Sequence, residues 1–370
     1  MNNAGLEFQR GNQCFTSEFG VPIKLDYVEE IRKGERMLRG VRQCSGKMLV
    51  NRIGFFGCFN KEARKFDWEV DTPGYSAQCM TYGDEVFIAD DTGLHQINPE
   101  SGLKSWTQFE RDSISLITLY TLISIDWADE KEVMNVRSKK DGKIIWSHES
   151  EYGSFGTILS ESGILVVECS KGYYSFVEET GELLWSFGIE DWQGKYLRGV
   201  PLSSLVSLRV LIDGIMYFGF SEGYIAAIDV KTCEPHWIHQ LQIADYLKER
   251  KDRVSPRAIY YRNGELLFTT DQGRGHLSYL TILDAKTGEQ LYQANENFTP
   301  AGCFNGVVIN QYYVDGYERY LSVFDIEKRK TVWTYKHPKA TDLFISGIVP
   351  FDNGFVAKSG SSLYWFKCDA

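Results

Sequence analysis

The chain has 370 residues, 43% apolar and 24% charged, a composition that excludes an intrinsically disordered polypeptide. Its 40 lysines and arginines against 50 aspartates and glutamates leave a formal charge of −10, which argues against nucleic acid as a partner and permits a basic protein. No stretch approaches the ~18 apolar residues of a membrane helix, and the opening MNNAGLEFQRGNQC lacks the basic region and apolar run of a secretory leader. The expectation is therefore a cytoplasmic protein with no membrane partner.

In chain order, residues 1–35 read as a closing strand and linker, with LEFQR (6–10) or VPIKLDY (21–27) supplying the strand. Val28 and Ile31, three apart, suggest a short helix in that linker. From residue 36 to 370 the sequence is repetitive. An eleven-residue frame recurs as CFNKEARKFDW (58–68), QINPESGLKSW (96–106), VRSKKDGKIIW (136–146), SFVEETGELLW (175–185), AIDVKTCEPHW (227–237), ILDAKTGEQLY (282–292) and VFDIEKRKTVW (323–333). Position 3 is often Asp or Asn, Gly is common at position 7, and position 11 is aromatic. Those aromatics are Trp68, Trp106, Trp146, Trp185, Trp237, Tyr292 and Trp333, separated by 38, 40, 39, 52, 55 and 41 residues. A period of that size is the mark of a repeat architecture.

Each repeat carries four strand signals. In the second they are SAQCMTY (76–82), EVFIAD (85–90), GLHQIN (93–98) and LKSWTQ (103–108), joined by Asp-Thr-Gly and Pro-Glu-Ser-Gly turns. Short antiparallel strands at this period predict an all-β fold, an eight-bladed β-propeller in a single domain. The eighth repeat ends at LYWFKC (363–368), so the N-terminal strand is expected to close the last blade. Seven blades follow instead if the first repeat, with Glu62-Ala63-Arg64 in place of the Gly turn, is degenerate. The position-11 aromatics are read as structural docking residues that cover the next blade.

The frame A-x-D-x-x-T-G-x-x-x-W resembles the tryptophan-docking motif of the quinoprotein alcohol dehydrogenases. It is similar to the wider PQQ-like β-propeller repeat superfamily, which includes the outer-membrane assembly lipoprotein of the Bam complex. The resemblance covers residues 36–368 and implies the fold. The dehydrogenases of this group hold their cofactor with a vicinal disulfide, a stacking tryptophan and a calcium site. This chain has no Cys-Cys pair and no C-x-x-C-H, so a non-enzymatic, cytoplasmic member without a cofactor is expected.

Other motifs carry little chemistry. Eight scattered cysteines read as free thiols. The G-x-S-x-G of Gly219–Gly223 precedes another strand, YIAAIDV, rather than a helix, and reads as a hairpin turn. Six histidines show no metal-ligand spacing, and His236 and His239 are expected on opposite strand faces. No catalytic or metal-ligating constellation is visible.

The informative places are where the period breaks. Long links run over 188–205 and 239–259, and the hairpin after the second strand is enlarged at 126–132, 271–277 and 311–320. Propeller geometry puts these on one face, mostly over blades four to seven. They are rich in the residue types of binding hot spots: Trp192, Tyr196, Arg198, Tyr246, Arg253, Arg257, Arg274, His276, Tyr312, Tyr313, Tyr317 and Arg319. The leading expectation is a non-enzymatic protein-binding scaffold. A sharper version is an immunity protein that neutralises a cognate bacterial toxin, the acidic chain complementing a basic partner. The alternative is a lyase or hydrolase acting on a small molecule or sugar in the central funnel.

Overall fold

The repeats fold as they do because their middle strands are largely apolar and buried and their last strands alternate. The computed structural model describes residues 22–30, 38–44, 46–73, 77–109, 112–128, 131–197, 205–220, 223–241, 255–271, 279–294, 300–304, 307–314, 318–336, 345–351, 354–359 and 362–368. The N-terminal strand is β1 (Pro22–Glu30). Blade one is β2 (Leu38–Cys44), β3 (Lys47–Arg52), β4 (Phe55–Asn60) and β5 (Lys65–Asp71). Blade two is β6 (Gln78–Tyr82), β7 (Glu85–Asp90), β8 (Gly93–Ile97) and β9 (Lys104–Gln108). Blade three is β10 (Ser113–Ile117), β11 (Thr121–Ala128), β12 (Lys131–Ser138) and β13 (Ile144–Glu149). Blade four is β14 (Phe155–Glu161), β15 (Ile164–Cys169), β16 (Gly172–Val177) and β17 (Leu183–Gly188), followed by helix α1 (Ile189–Tyr196). Blade five is β18 (Leu205–Ile212), β19 (Ile215–Phe220), β20 (Tyr224–Asp229) and β21 (Pro235–Gln240). Blade six is β22 (Ser255–Arg262), β23 (Glu265–Asp271), β24 (Tyr279–Asp284) and β25 (Gln290–Gln293). Blade seven is β26 (Pro300–Phe304), β27 (Val307–Val314), β28 (Glu318–Asp325) and β29 (Lys330–Lys336). The last is β30 (Ile345–Phe351), β31 (Gly354–Ser359) and β32 (Ser362–Cys368).

Each blade is a four-stranded meander in chain order, except the last, ordered β1-β32-β31-β30. Eight such antiparallel sheets make the fold an eight-bladed β-propeller. The middle strands are buried almost end to end, as in β3 and β4, whereas β5 alternates exposed and half-buried residues. That is the pattern of a strand covered on both faces against one at a sheet's rim.

VPIKLDY is thus the closing strand, paired antiparallel with β32 through Val28 and Tyr364. The short helix expected near Val28 is not formed. Residues 22–30 extend as a strand because β32 would otherwise present a bare edge. LEFQR lies outside the described residues.

The turn between third and fourth strands is the same in all seven frames. Position 7 is left-handed at Arg64, Gly102, Gly142, Gly181, Cys233, Gly288 and Arg329, with φ from +50° to +74°. The first repeat is therefore not degenerate; Arg64 adopts the glycine-like conformation. Position 3 locks the turn. Asn98 Oδ1 accepts the Glu100 and Ser101 N–H groups, Asp229 Oδ1 those of Lys231 and Thr232, and Asp284 Oδ1 those of Lys286 and Thr287.

The chain divides into two compact units, one running through residues 22–145 and 301–368 and the other through 146–300. Within the first, the Trp68 indole N–H donates to Pro99 O at 3.0 Å and that of Trp106 to Lys139 O at 2.9 Å. Within the second, Trp146 donates to Glu178 O at 2.8 Å, Trp185 to Val230 O at 2.7 Å and Trp237 to Ala285 O at 2.9 Å. Every one of these acceptors is frame position 4 of the following repeat. Trp333 packs edge-on against Phe366, ring centroids 5.8 Å apart. Tyr292 sits on β25 opposite Ile282.

Candidate functional site

Of the 188–205 link, residues 188–197 and Leu205 are described. Helix α1 begins after Gly188 and has Glu190 and Asp191 in its first turn and Lys195 in its last, matching its dipole. Trp192 is 2% exposed and packs against Phe187, Phe218 and Phe220, with ring centroids 6.2, 5.6 and 5.3 Å away. The Ile189 N–H bonds Lys171 O in the β15–β16 turn, while the Tyr196 hydroxyl donates to Glu234 Oε2 at 2.9 Å. Glu234 lies in the β20–β21 turn, at the opposite end of blade five from where the link enters β18. The helix therefore runs along the seam between blades four and five rather than standing on a loop face. Trp192, expected as a contact residue, has no surface to offer. Its burial is what holds the helix, which carries no side-chain N-cap.

The exposed end of α1 is an ion-paired cluster. Lys195 Nζ donates to Glu234 Oε1 at 3.0 Å, and its ring-side neighbour Tyr196 lies 4.7 Å from the ammonium. Hydrogen bonding to Tyr196 and then Glu234 raises Lys195 to about 12, and the bonds from Lys195 and Tyr196 lower Glu234. Burial raises the Tyr196 hydroxyl.

Two of the three enlarged hairpins, those of blades three and seven, continue as paired ribbons, and the hairpin at 271–277 lies outside the described residues apart from Asp271. In blade seven the pairing continues through Tyr312↔Tyr320 and Tyr313↔Arg319 to Val314↔Glu318. In blade three it continues to Ala128↔Lys131. Arg257 sits on β22 opposite Thr269. Arg198, Tyr246, Arg253, Arg274, His276 and Tyr317 lie outside the described residues. The G-x-S-x-G stretch joins β19 to β20, with the Gly223 N–H on Phe220 O at 3.1 Å, which is a strand hairpin.

Two buried polar clusters had no sequence signal. In blade two His95, 1% exposed, has Nε2 3.1 Å from Asp90 Oδ1 and Nδ1 3.0 Å from Thr107 Oγ1. Thr92 Oγ1 and Lys104 Nζ also approach Nε2, at 3.0 and 3.2 Å. Burial lowers the His95 pKa, outweighing the raising effect of Asp90. Burial works against the Asp90 carboxylate, yet bonds from Thr92 and His95 leave it lowered. In blade three Arg137 Nη2 donates to Asp112 Oδ2 at 2.7 Å, both side chains being sealed from solvent. Asn135 adds a longer bond at 3.4 Å, and Arg137 Nη1 holds Gly142 O. Thr107 lies 12 residues from His95, and Asp112 lies 25 residues from Arg137, so these partners meet through strand register, whereas Asp90, Thr92 and His95 gather around one turn.

Among the described residues no three His, Cys, Asp or Glu side chains gather closely enough to hold a metal ion. Among them, too, no helix is long and apolar enough to cross a membrane.

Fold and repeat geometry thus define a propeller whose sheets are tied by indoles donating into the next repeat's turn. A family model described as outer membrane protein assembly factor BamB matches residues 120–335, well over half the chain, and the chain belongs to that family. No curated protein sequence matches it. Among solved structures it is similar to BamB from Moraxella catarrhalis, with a TM-score of 0.60 at 11% identity over 93% of this chain and 97% of that one. It is also similar to Sqt1 of Saccharomyces cerevisiae, with a TM-score of 0.65 at 12% identity over 92% and 98%. The quinohemoprotein alcohol dehydrogenase of Comamonas testosteroni gives 0.63 at 9% identity over 96% of this chain and 78% of that one. At these identities the likeness concerns the fold alone, which hosts binding proteins and enzymes alike.

Proposed function

We propose that this chain is a non-enzymatic, protein-binding propeller. The observation that carries the reading is the β27–β28 ribbon, which continues past the ordinary strand length and sets Tyr312, Tyr313 and Arg319 on paired strands. Tyrosine and arginine dominate binding hot spots, and a backbone already held in a paired ribbon loses little conformational entropy on binding. The family description, an assembly factor, supports the same reading. Affinity capture from native lysate tests it, comparing the natural chain with a Tyr312→Ala, Tyr313→Ala, Arg319→Ala variant. A partner held equally by both refutes the ribbon as the contact surface.

The sharper version is an immunity protein whose acidic chain, at −10, neutralises a basic bacterial toxin. Mixing with a candidate toxin and finding neither protection nor a complex removes it. The docking-motif reading of the position-11 aromatics is supported by the five indole bonds into frame position 4. A cytoplasmic location is supported by free thiols at Cys44, Cys58, Cys79, Cys169 and Cys233. The family description instead points to the cell envelope, and fractionation decides between them.

One observation favours an enzyme: the series Asp90–His95–Thr107 has the connectivity of an acid, a base and a hydroxyl nucleophile. His95 is sealed, and Thr92 and Lys104 already crowd its Nε2, so we read the series as a lock on the β7–β8 turn.

A further inference from the structure

Five of the second strands span six residues, which makes their last-but-one positions equivalent: Asn51 on β3, Ala89 on β7, Glu168 on β15, Gly219 on β19 and Lys358 on β31. Three of these residues are polar, and each of the three is only 8% exposed. Asn51 Nδ2 donates to Ala77 O at 3.1 Å, and Glu168 Oε2 accepts the Thr157 N–H at 2.9 Å. Buried polar side chains are kept in place by such bonds. Lys358 departs from the array.

Strand alternation fixes where its side chain goes. Phe355 and Ala357 pack against Leu321 and Val323 of blade seven, whereas Val356 packs against Val41, Met48 and Val50 of blade one. Lys358 lies two residues beyond Val356 and shares its face, so its stem enters the seam between the last blade and blade one. Arg42, half-buried, follows Val41 on β2. Burial and then the charge of Arg42 act on the Lys358 ammonium, and both lower its pKa; among the described residues no hydrogen bond or carboxylate raises it. A cation is thus held in a nearly closed seam with another cation as its charged neighbour. A buried charge without a counter-charge is unfavourable, and an anion drawn from solvent supplies one. The residual exposure of Lys358 gives such an ion access.

We propose that Lys358, aided by the field of Arg42, is a binding site for a small oxyanion, a carboxylate or phosphate of the size of acetate or inorganic phosphate, seated in the seam between the last blade and blade one. The ammonium brings three N–H donors and a compact charge, which suits an oxyanion without demanding a planar one. The last blade is the one closed by β1, so a bound anion adds a charge-assisted contact at the place where the chain's two ends meet. The site is independent of the protein-binding reading.

The test is equilibrium dialysis of the full chain against radiolabelled phosphate and, separately, acetate, in chloride buffer at constant ionic strength. Saturable uptake of about one equivalent is expected, and the two arms decide which oxyanion the site takes. Lys358→Met and Lys358→Gln remove the charge and keep a stem of similar reach. Both are expected to fold, with urea midpoints in chloride no lower than that of the natural chain, and to bind at least about tenfold more weakly. Arg42→Gln, which leaves the ammonium in place, is expected to weaken binding several-fold. The bound anion should also raise the urea midpoint of the natural chain and not that of the Lys358 variants. No saturable uptake of either anion, or equal uptake by a folded Lys358 variant, overturns the inference.

Discussion

Replacing Gly181 by alanine measures how tightly a blade is tied to its neighbour. Gly181 has φ +73°, and a Cβ there would lie 2.7 Å from Cδ2 and 2.9 Å from Cγ of the Trp146 indole. Gly163, in the same blade, has φ +77° with nothing within 4 Å of its Cβ position. Alanine at Gly163 therefore costs only the left-handed backbone, about 1 kcal/mol. Alanine at Gly181 adds overpacking against a ring fixed by its bond to Glu178 O, another ~1–3 kcal/mol. The expected losses are about 1 kcal/mol for Gly163→Ala and ~2–4 kcal/mol for Gly181→Ala, read from urea midpoints. Indole fluorescence should shift for Gly181→Ala alone. The lower end of its range is set by Cys233, which already places a Cβ at the equivalent position while Trp185 keeps its 2.7 Å bond to Val230 O. Equal losses at the two glycines would refute the claim that the indole, rather than the backbone, makes position 7 selective.

The remaining predictions concern the same scaffold. Trp185→Phe keeps a ring beside Phe187 but loses the bond to Val230 O, and should cost about 1 kcal/mol against ~3–5 kcal/mol for Trp185→Ala; equal urea midpoints would show that the hydrogen bond outweighs the packing. Burial lowers the pKa of His95, His148 and His239 below the ordinary 6.5. Unfolded imidazoles then take up protons before folded ones, so stability is full above that pH and falls as pH drops below it towards the folded values; a melting temperature unchanged between about pH 7.5 and 5.5 would contradict this. Asp112→Asn should cost ~3–5 kcal/mol by stranding the buried Arg137 guanidinium, whereas Asp112→Leu with Arg137→Met should recover most of it; thermal melts in which the double change is no better than the single one would count against the ion-pair account.

What could be read from the sequence was set by how local each device is. Position 11 and the Gly of position 7 lie four residues apart, so the frame, the turn and the blade order were all legible. Arg64, Cys233 and Arg329 hid the same turn, because left-handed backbone is recognised by glycine and these positions lack it. The partner of each indole was invisible for a different reason. It is a main-chain carbonyl at position 4, which any residue supplies, as Pro99, Lys139, Glu178, Val230 and Ala285 do. Helix α1 was missed because its stability comes from burying Trp192 between blades four and five, a tertiary effect, and not from a helical period of its own. The enlarged hairpins were read as loops because Tyr312–Val314 pairs only with its own ribbon, beyond the part of the strand that the repeat constrains. The same reasoning locates function. Positions that meet the next blade are fixed by packing and keep to the period, so recognition is left to residues the packing does not use.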